Sequence, residues 1–168
     1  MFWRMTKAVL ILPGTALIYI PLLIQWFSNG WPFSRSLGGA PEWVLAAILA
    51  APAVALAVKT MRLFLNEGEG TPAPWDPPRK FVVSGPYRHM RNPMLTSVIL
   101  MILAEAVALS SLGLLGWAVV FFLLNTAYFA LLEEPQLERR FGDPYRHYKA
   151  SVPRWIPRTR AYLAPKGD

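Results

Sequence analysis

Cysteine is absent from the 168 residues, which excludes disulfides, thiolate metal sites and cysteine nucleophiles. Histidine is almost absent: His89 and His147 are the two in the chain, too few for a multi-histidine metal centre. Charge is scarce, 16% of residues against 54% hydrophobic, a balance foreign to a soluble domain of this length. The little charge present is lopsided, with 17 Lys and Arg, 10 Asp and Glu and a net charge of +7. Such an excess can serve nucleic acid. Here the basic residues flank long apolar runs, which is how membrane proteins place them. No nucleic-acid partner and no metal are expected.

A helix needs roughly 20 apolar residues to cross a hydrocarbon core about 30 Å thick. Four runs approach that length: 8–27, 43–65, 95–109 and 114–132. The last two meet across Ser110-Ser111-Leu112-Gly113, a tight helical hairpin. Pro13, Pro21 and Pro52 fall inside the first two, where a membrane helix accepts them with a kink. Arg4 and Lys7 precede the first run as in a signal peptide, but Trp26, Phe27 and Trp31 follow it in place of a small-residue cleavage site. It reads as an uncleaved helix with an interfacial aromatic belt. Four crossings put both termini on the side of the Lys59–Pro93 segment. That side then holds 16 of the 17 basic residues, with only Arg35 opposite. Both termini are therefore expected in the cytoplasm. The expectation is an all-α integral membrane protein: one domain over 1–168, four transmembrane helices, and a C-terminal cytoplasmic segment part helical, part extended.

Outside the runs, NEGEGTPAPWDPPRK (66–80) carries four prolines and two glycines and suggests an extended connector, either a linker or a lid. Glu133 to Phe141 suggests a helix that Gly142 ends, and Asp143-Pro144 opens another. Phe141, Tyr145, Tyr148 and Val152 share one face of that stretch, to pack on the protein or to lie in the interface. The basic, aromatic tail VPRWIPR suits anionic headgroups.

Two polar clusters flank the last hairpin: GPYRHMRNP (85–93) and Glu133-Glu134. From Pro93 to Glu133 is 40 residues, about 60 Å of helix, or two crossings. The spacing returns the carboxylates to Arg91 at the membrane boundary. Pro135 is expected to bend the chain there, since it leaves the Leu131 carbonyl without its usual donor. By charge pattern alone this could be interfacial salt bridging or a ligand site.

In order, GPYRHMRNPM, a 40-residue hairpin and EEPQLERRFGDPYRHYKASVPRWIPR resemble the isoprenylcysteine carboxyl methyltransferase and phospholipid methyltransferase superfamily. Its pattern is an Arg-His-Pro element, a hairpin, a Glu-Glu pair and an FGxxYxxY tail. GTPAPWDPP resembles the connector of many bacterial members, which implies a bacterial inner membrane. The resemblance covers roughly 68–158 and has two departures. Asn92 stands where the family usually has histidine, and Leu95 where it commonly has tyrosine. Asn92 can hydrogen-bond but cannot take a proton.

The resemblance implies S-adenosylmethionine-dependent methyl transfer, with the cofactor held by residues 79–93 and 133–158. The cofactor-binding positions are then Pro86, Tyr87, Arg88, His89, Arg91, Asn92, Pro93, Glu133 and Glu134, with Arg91 and Glu133 also catalytic. Glu133 and Glu134 suit the cofactor's ammonium or ribose, Arg91 or Arg88 its carboxylate, and Tyr87 with the backbone of Pro86 to His89 its adenine. The substrate would be lipophilic and drawn from the bilayer, methylated on a carboxylate, as in prenylcysteine, or on an amine, as in phosphatidylethanolamine. Glu105 lies inside the third run, either in an interhelical hydrogen bond to Asn125 or Thr126 or in contact with substrate. The alternative to an enzyme is a non-catalytic membrane binding or scaffold protein that keeps the fold. Membrane lipids are expected neighbours. The sequence names no protein partner.

Overall fold

A computed structural model describes residues 11–29, 39–68 and 81–163. Arg4, Lys7, Trp31, Arg35, Lys166 and the connector from 69 to 80, Arg79 and Lys80 included, lie outside the described residues. All regular structure among the described residues is helical. The α-helices are α1 (Ile20–Asn29), α2 (Ala40–Leu63), α3 (Pro93–Ala108), α4 (Leu112–Tyr128), α5 (Glu134–Phe141) and α6 (Asp143–Ser151). Wider π turns occupy Thr15–Tyr19, Phe64–Gly68 and Phe129–Glu133, and a short 3-10 turn spans Gly85–Arg88. The helix through α2 therefore reaches Gly68, consuming the first residues of the stretch expected as extended.

Two helices are long and apolar enough to cross a membrane: Ala40–Glu67, 28 residues, and Leu112–Phe141, 30 residues. The other apolar helices, Ile11–Phe27 and Pro93–Ala108, are shorter. At 1.5 Å per residue the 30-residue helix is about 45 Å long, more than a bilayer core of about 30 Å holds. Its apolar stretch ends at Leu132, and Glu133 opens a polar end. Ile48, Leu123 and Leu124 are each more than half exposed, as outward faces of lipid-facing helices are.

Two of the π turns end two residues before a proline, Tyr19 before Pro21 and Glu133 before Pro135. A proline cannot donate to the carbonyl four residues back and collides with it; widening the turn moves that carbonyl away. At Pro135 the helix is not broken: α4, the π turn and α5 run on as one helical stretch, Leu112–Phe141. In the first turn the Ile20 N–H bonds the Thr15 carbonyl and Pro21 has no N–H. The Ala16 carbonyl, left over, accepts from Trp117 Nε1 at 3.0 Å. A carbonyl in an apolar setting needs such a partner.

One compact unit takes in the chain up to Ala55 together with Thr96–Leu124; the other takes in Leu56–Leu95 and the chain from Asn125 on. In the first, Ala16, Val98, Ile102 and Ala118 form a buried cluster. Ala46 of α2 meets Ala104 and Ala108 of α3 in a second, where small side chains let helix backbones approach. The turn between α3 and α4 is a Schellman closure: Ser111 N–H bonds the Ala106 carbonyl at 2.9 Å and Ser110 N–H that of Val107 at 3.1 Å. The left-handed position falls on Ser110, φ 46°, and Ser111 Oγ caps α4 by accepting the Leu114 N–H at 3.3 Å. Glycine adopts the Ser110 conformation without the Cβ clash. Ser110→Gly should therefore raise stability by about 0.5–1 kcal/mol, seen as a higher thermal midpoint in detergent. A lower midpoint would mean that the hydroxyl matters.

The second unit closes around aromatic rings. Tyr145, Tyr148, Val152 and Tyr162 are buried together, with Phe81, Val83, Leu137 and Phe141 packed on them. Phe81 stacks on Phe141 at 5.3 Å and meets Tyr148 edge-on at 5.3 Å. The stripe on α6 thus packs on the protein. Gly142, φ 63° and ψ −139°, permits the break that starts it, since side chains avoid that conformation.

Candidate active site

The residues 85–93 are shaped by two short devices. Gly85 has φ 52°, and a Cβ there would stand 3.0 Å from Leu63 Cδ1, so the chain turns closely over the end of α2. The Pro86 carbonyl accepts the N–H groups of His89 and Met90 at 3.0 and 3.1 Å. Pro93 opens α3 at a position where no N–H is required. The result is a compact turn that ends in Arg91-Asn92 directly before an apolar helix.

The C-terminal segment runs back along this turn. Arg91 N–H bonds the Pro153 carbonyl at 2.9 Å, Asn92 N–H that of Arg154 at 3.2 Å, Arg158 N–H that of His89 at 3.0 Å, and Tyr162 N–H that of Arg88 at 2.9 Å. Side chains follow. Arg88 Nε donates to the Tyr162 carbonyl at 2.9 Å. His89 Nδ1 lies 2.8 Å from the Arg158 carbonyl; a carbonyl only accepts, so Nδ1 carries the proton. Tyr148 donates to the Tyr87 carbonyl at 2.7 Å, and the Tyr87 ring meets Phe64 edge-on at 5.7 Å. Burial, then the neighbouring charge sites Tyr148 and Glu133, push the Tyr87 hydroxyl far above the usual phenol range. Of the residues expected at the cofactor, Arg88 and His89 are thus anchored to the tail, while Asn92 and Pro93 are buried at the head of α3.

Arg91 and Glu134 do come together, 43 residues apart in sequence and 2.7 Å apart from Nη1 to Oε1. The return expected from the 40-residue spacing is realised. Glu134 is 2% exposed, yet both of its oxygens are committed. Oε1 also accepts from Arg154 Nε at 2.9 Å, and Oε2 faces Lys149 Nζ at 3.3 Å. Lys149 is itself held by Glu138 at 2.6 Å. Burial alone would raise the Glu134 carboxyl; the hydrogen bond from Arg154 and the charges of Arg91 and Arg154 outweigh it and hold the group below the usual carboxylate range. Burial, then the Glu134 charge, pushes Tyr145 up to about 12, with Arg91 pulling the other way.

Glu133 is the opposite case. It is half-buried and has no ion-pair partner among the described residues. Burial, then the adjacent Glu134 charge, pushes it up to about 7. Arg91 Nε is likewise buried and without a hydrogen bond among the described residues. The site thus has one saturated acid, one uncompensated acid, and an arginine with an unused edge, a pattern that marks ligand sites. Glu105 lies twelve residues past Pro93, about 18 Å along α3; its Oε2 is buried without a hydrogen bond among the described residues. Arg154 and Lys149 escaped the sequence reading. Arg154 sat in the VPRWIPR tail, whose basic character suggested lipid headgroups, and Lys149 on the helix before it; only the fold turns them to Glu134.

The model of the phospholipid methyltransferase family matches residues 42–144, more than half of the chain. An uncharacterized protein of Haemophilus influenzae is 41% identical over 64 residues, which are 38% of this chain and the whole of that protein. No solved structure matches the chain. With Arg91, the hairpin and the Glu-Glu pair all inside or bordering the matched region, the chain belongs to the phospholipid methyltransferase family.

Proposed function

We propose that this chain transfers a methyl group from S-adenosylmethionine to a lipophilic acceptor at the cytoplasmic boundary of a membrane. The observation that carries the proposal is the unequal acid pair beside Arg91: Glu134 saturated by three cations, Glu133 uncompensated, and Arg91 Nε unsatisfied. An amino-acid moiety fits such a set, its carboxylate on the Arg91 edge and its ammonium against Glu133. A cation there would draw Glu133 into its charged form. Tyr87 and the backbone of Pro86 to His89 lie on the same turn and suit the adenine.

When bound, the cofactor supplies a methyl group already activated on a positive sulfur. What remains for the protein is to align donor and acceptor and to exclude water. Asn92 cannot ionise, and His89, whose Nδ1 is anchored to the Arg158 carbonyl, keeps Nε2 as the turn's one candidate proton acceptor. A carboxylate acceptor needs none at neutral pH, while an amine must first lose a proton. The four apolar helices and the 16-to-1 distribution of basic residues favour four crossings with both termini cytoplasmic, in a bacterial inner membrane. The direct test is incubation of the purified protein with methyl-labelled cofactor and total lipid extract. Label should appear in one lipid class. Tight cofactor binding with no labelled product would favour the non-catalytic alternative.

A further inference from the structure

We infer that Arg154 and Lys149, supplied by the C-terminal segment, are positioning residues that keep one edge of Arg91 available to the cofactor's carboxylate. The inference rests on the reading of the site given above. An arginine facing a single carboxylate normally closes a two-bond fork. Arg91 does not: it reaches Glu134 through Nη1 alone, at 2.7 Å, and its Nε is buried without a hydrogen bond among the described residues. The reason is on the other side of the carboxylate. Arg154 Nε takes the same oxygen, Oε1, at 2.9 Å, and Lys149 Nζ faces Oε2 at 3.3 Å. With Oε1 doubly occupied and Oε2 turned to Lys149, Glu134 meets Arg91 by a single bond and not by a fork.

Arg154 is well placed for this. Its carbonyl accepts the Asn92 N–H at 3.2 Å, so one residue grips the backbone next to Arg91 and the carboxylate opposite it. Lys149 is braced by Glu138 at 2.6 Å, on the helix that carries Glu134. Two cations from α6 and the tail thereby decide how a third, Arg91, is used.

The test is calorimetry on the full chain in detergent with two probes. S-adenosylhomocysteine carries the carboxylate and ammonium; 5′-methylthioadenosine lacks both. In Arg154→Ala, Glu134 is released to form the fork with Arg91. Affinity for S-adenosylhomocysteine should fall about tenfold, as for one lost charge-assisted bond, while 5′-methylthioadenosine binds as before. Arg154→Lys keeps a cation on Glu134 and should restore most of the affinity. If Arg154→Ala does not purify folded, Lys149→Ala carries the same expectation at smaller size. Unchanged affinity for S-adenosylhomocysteine, or an equal loss for both probes, would overturn the positioning role. Failure of the unaltered chain to bind S-adenosylhomocysteine at all would instead overturn the site reading beneath it.

Discussion

Arg91→Ala should lower methyl transfer by at least about a hundredfold, the largest effect expected of any single change at this site. A charge-assisted hydrogen bond contributes about 1.5–3 kcal/mol, and Arg91 is placed for one to Glu134 and another to a ligand carboxylate. Removing it also leaves Glu134, 2% exposed, with two cations in place of three. The loss should appear both in cofactor affinity and in single-turnover rate, because a donor held without its carboxylate is poorly aligned. Arg91→Lys should be nearly as poor. An ammonium can meet Glu134 but has no second edge to present. Methyl transfer at the wild-type rate in Arg91→Lys would remove Arg91 from the chemistry.

Glu134→Leu should be the most destabilising substitution, by about 3–5 kcal/mol, the range for breaking a buried ion pair from one side. Arg91, Arg154 and Lys149 would then face one another with no anion between them. Glu134→Gln keeps an acceptor and should cost less. The acid response separates the two contributions. Because the folded Glu134 carboxyl lies below its unfolded value of about 4.3, its stabilisation is complete above that pH. It is lost as pH falls through the folded value. Thermal midpoints of the wild type should drop in acid below about pH 4, and those of Glu134→Gln should drop less. Parallel curves for the two proteins would assign the acid loss to other groups.

Much of this was legible from the chain. The 40-residue spacing between Pro93 and Glu133 was enough to bring the acids back to Arg91, because helix rise and bilayer thickness are fixed lengths. The spacing of Phe141, Tyr145, Tyr148 and Val152 gave the face of α6, and Gly142 its start. Helix limits were legible only to a few residues. α3 opens at Pro93, not 95, and α4 at Leu112, not 114, because Pro93 and the Ser111 cap set those ends. What the sequence hid are choices made between distant segments. Nothing local distinguishes an arginine that will meet a lipid phosphate from Arg154, which turns to Glu134. Nor does Pro135 announce whether a helix will break or widen to pass it.

The widened turn at Phe129–Glu133 adds roughly one residue to the helix without ending it, with the Glu134 N–H reaching five residues back to Phe129. Each residue of an α-helix turns it by about 100°. The turn therefore sets the phase between the apolar face of α4 and the acids of α5. A one-residue deletion in this stretch would change the direction in which the acids point by about 100° while leaving the helix's length almost untouched. Such a deletion would change geometry alone, re-aiming the acid pair while both of its side chains stay the same.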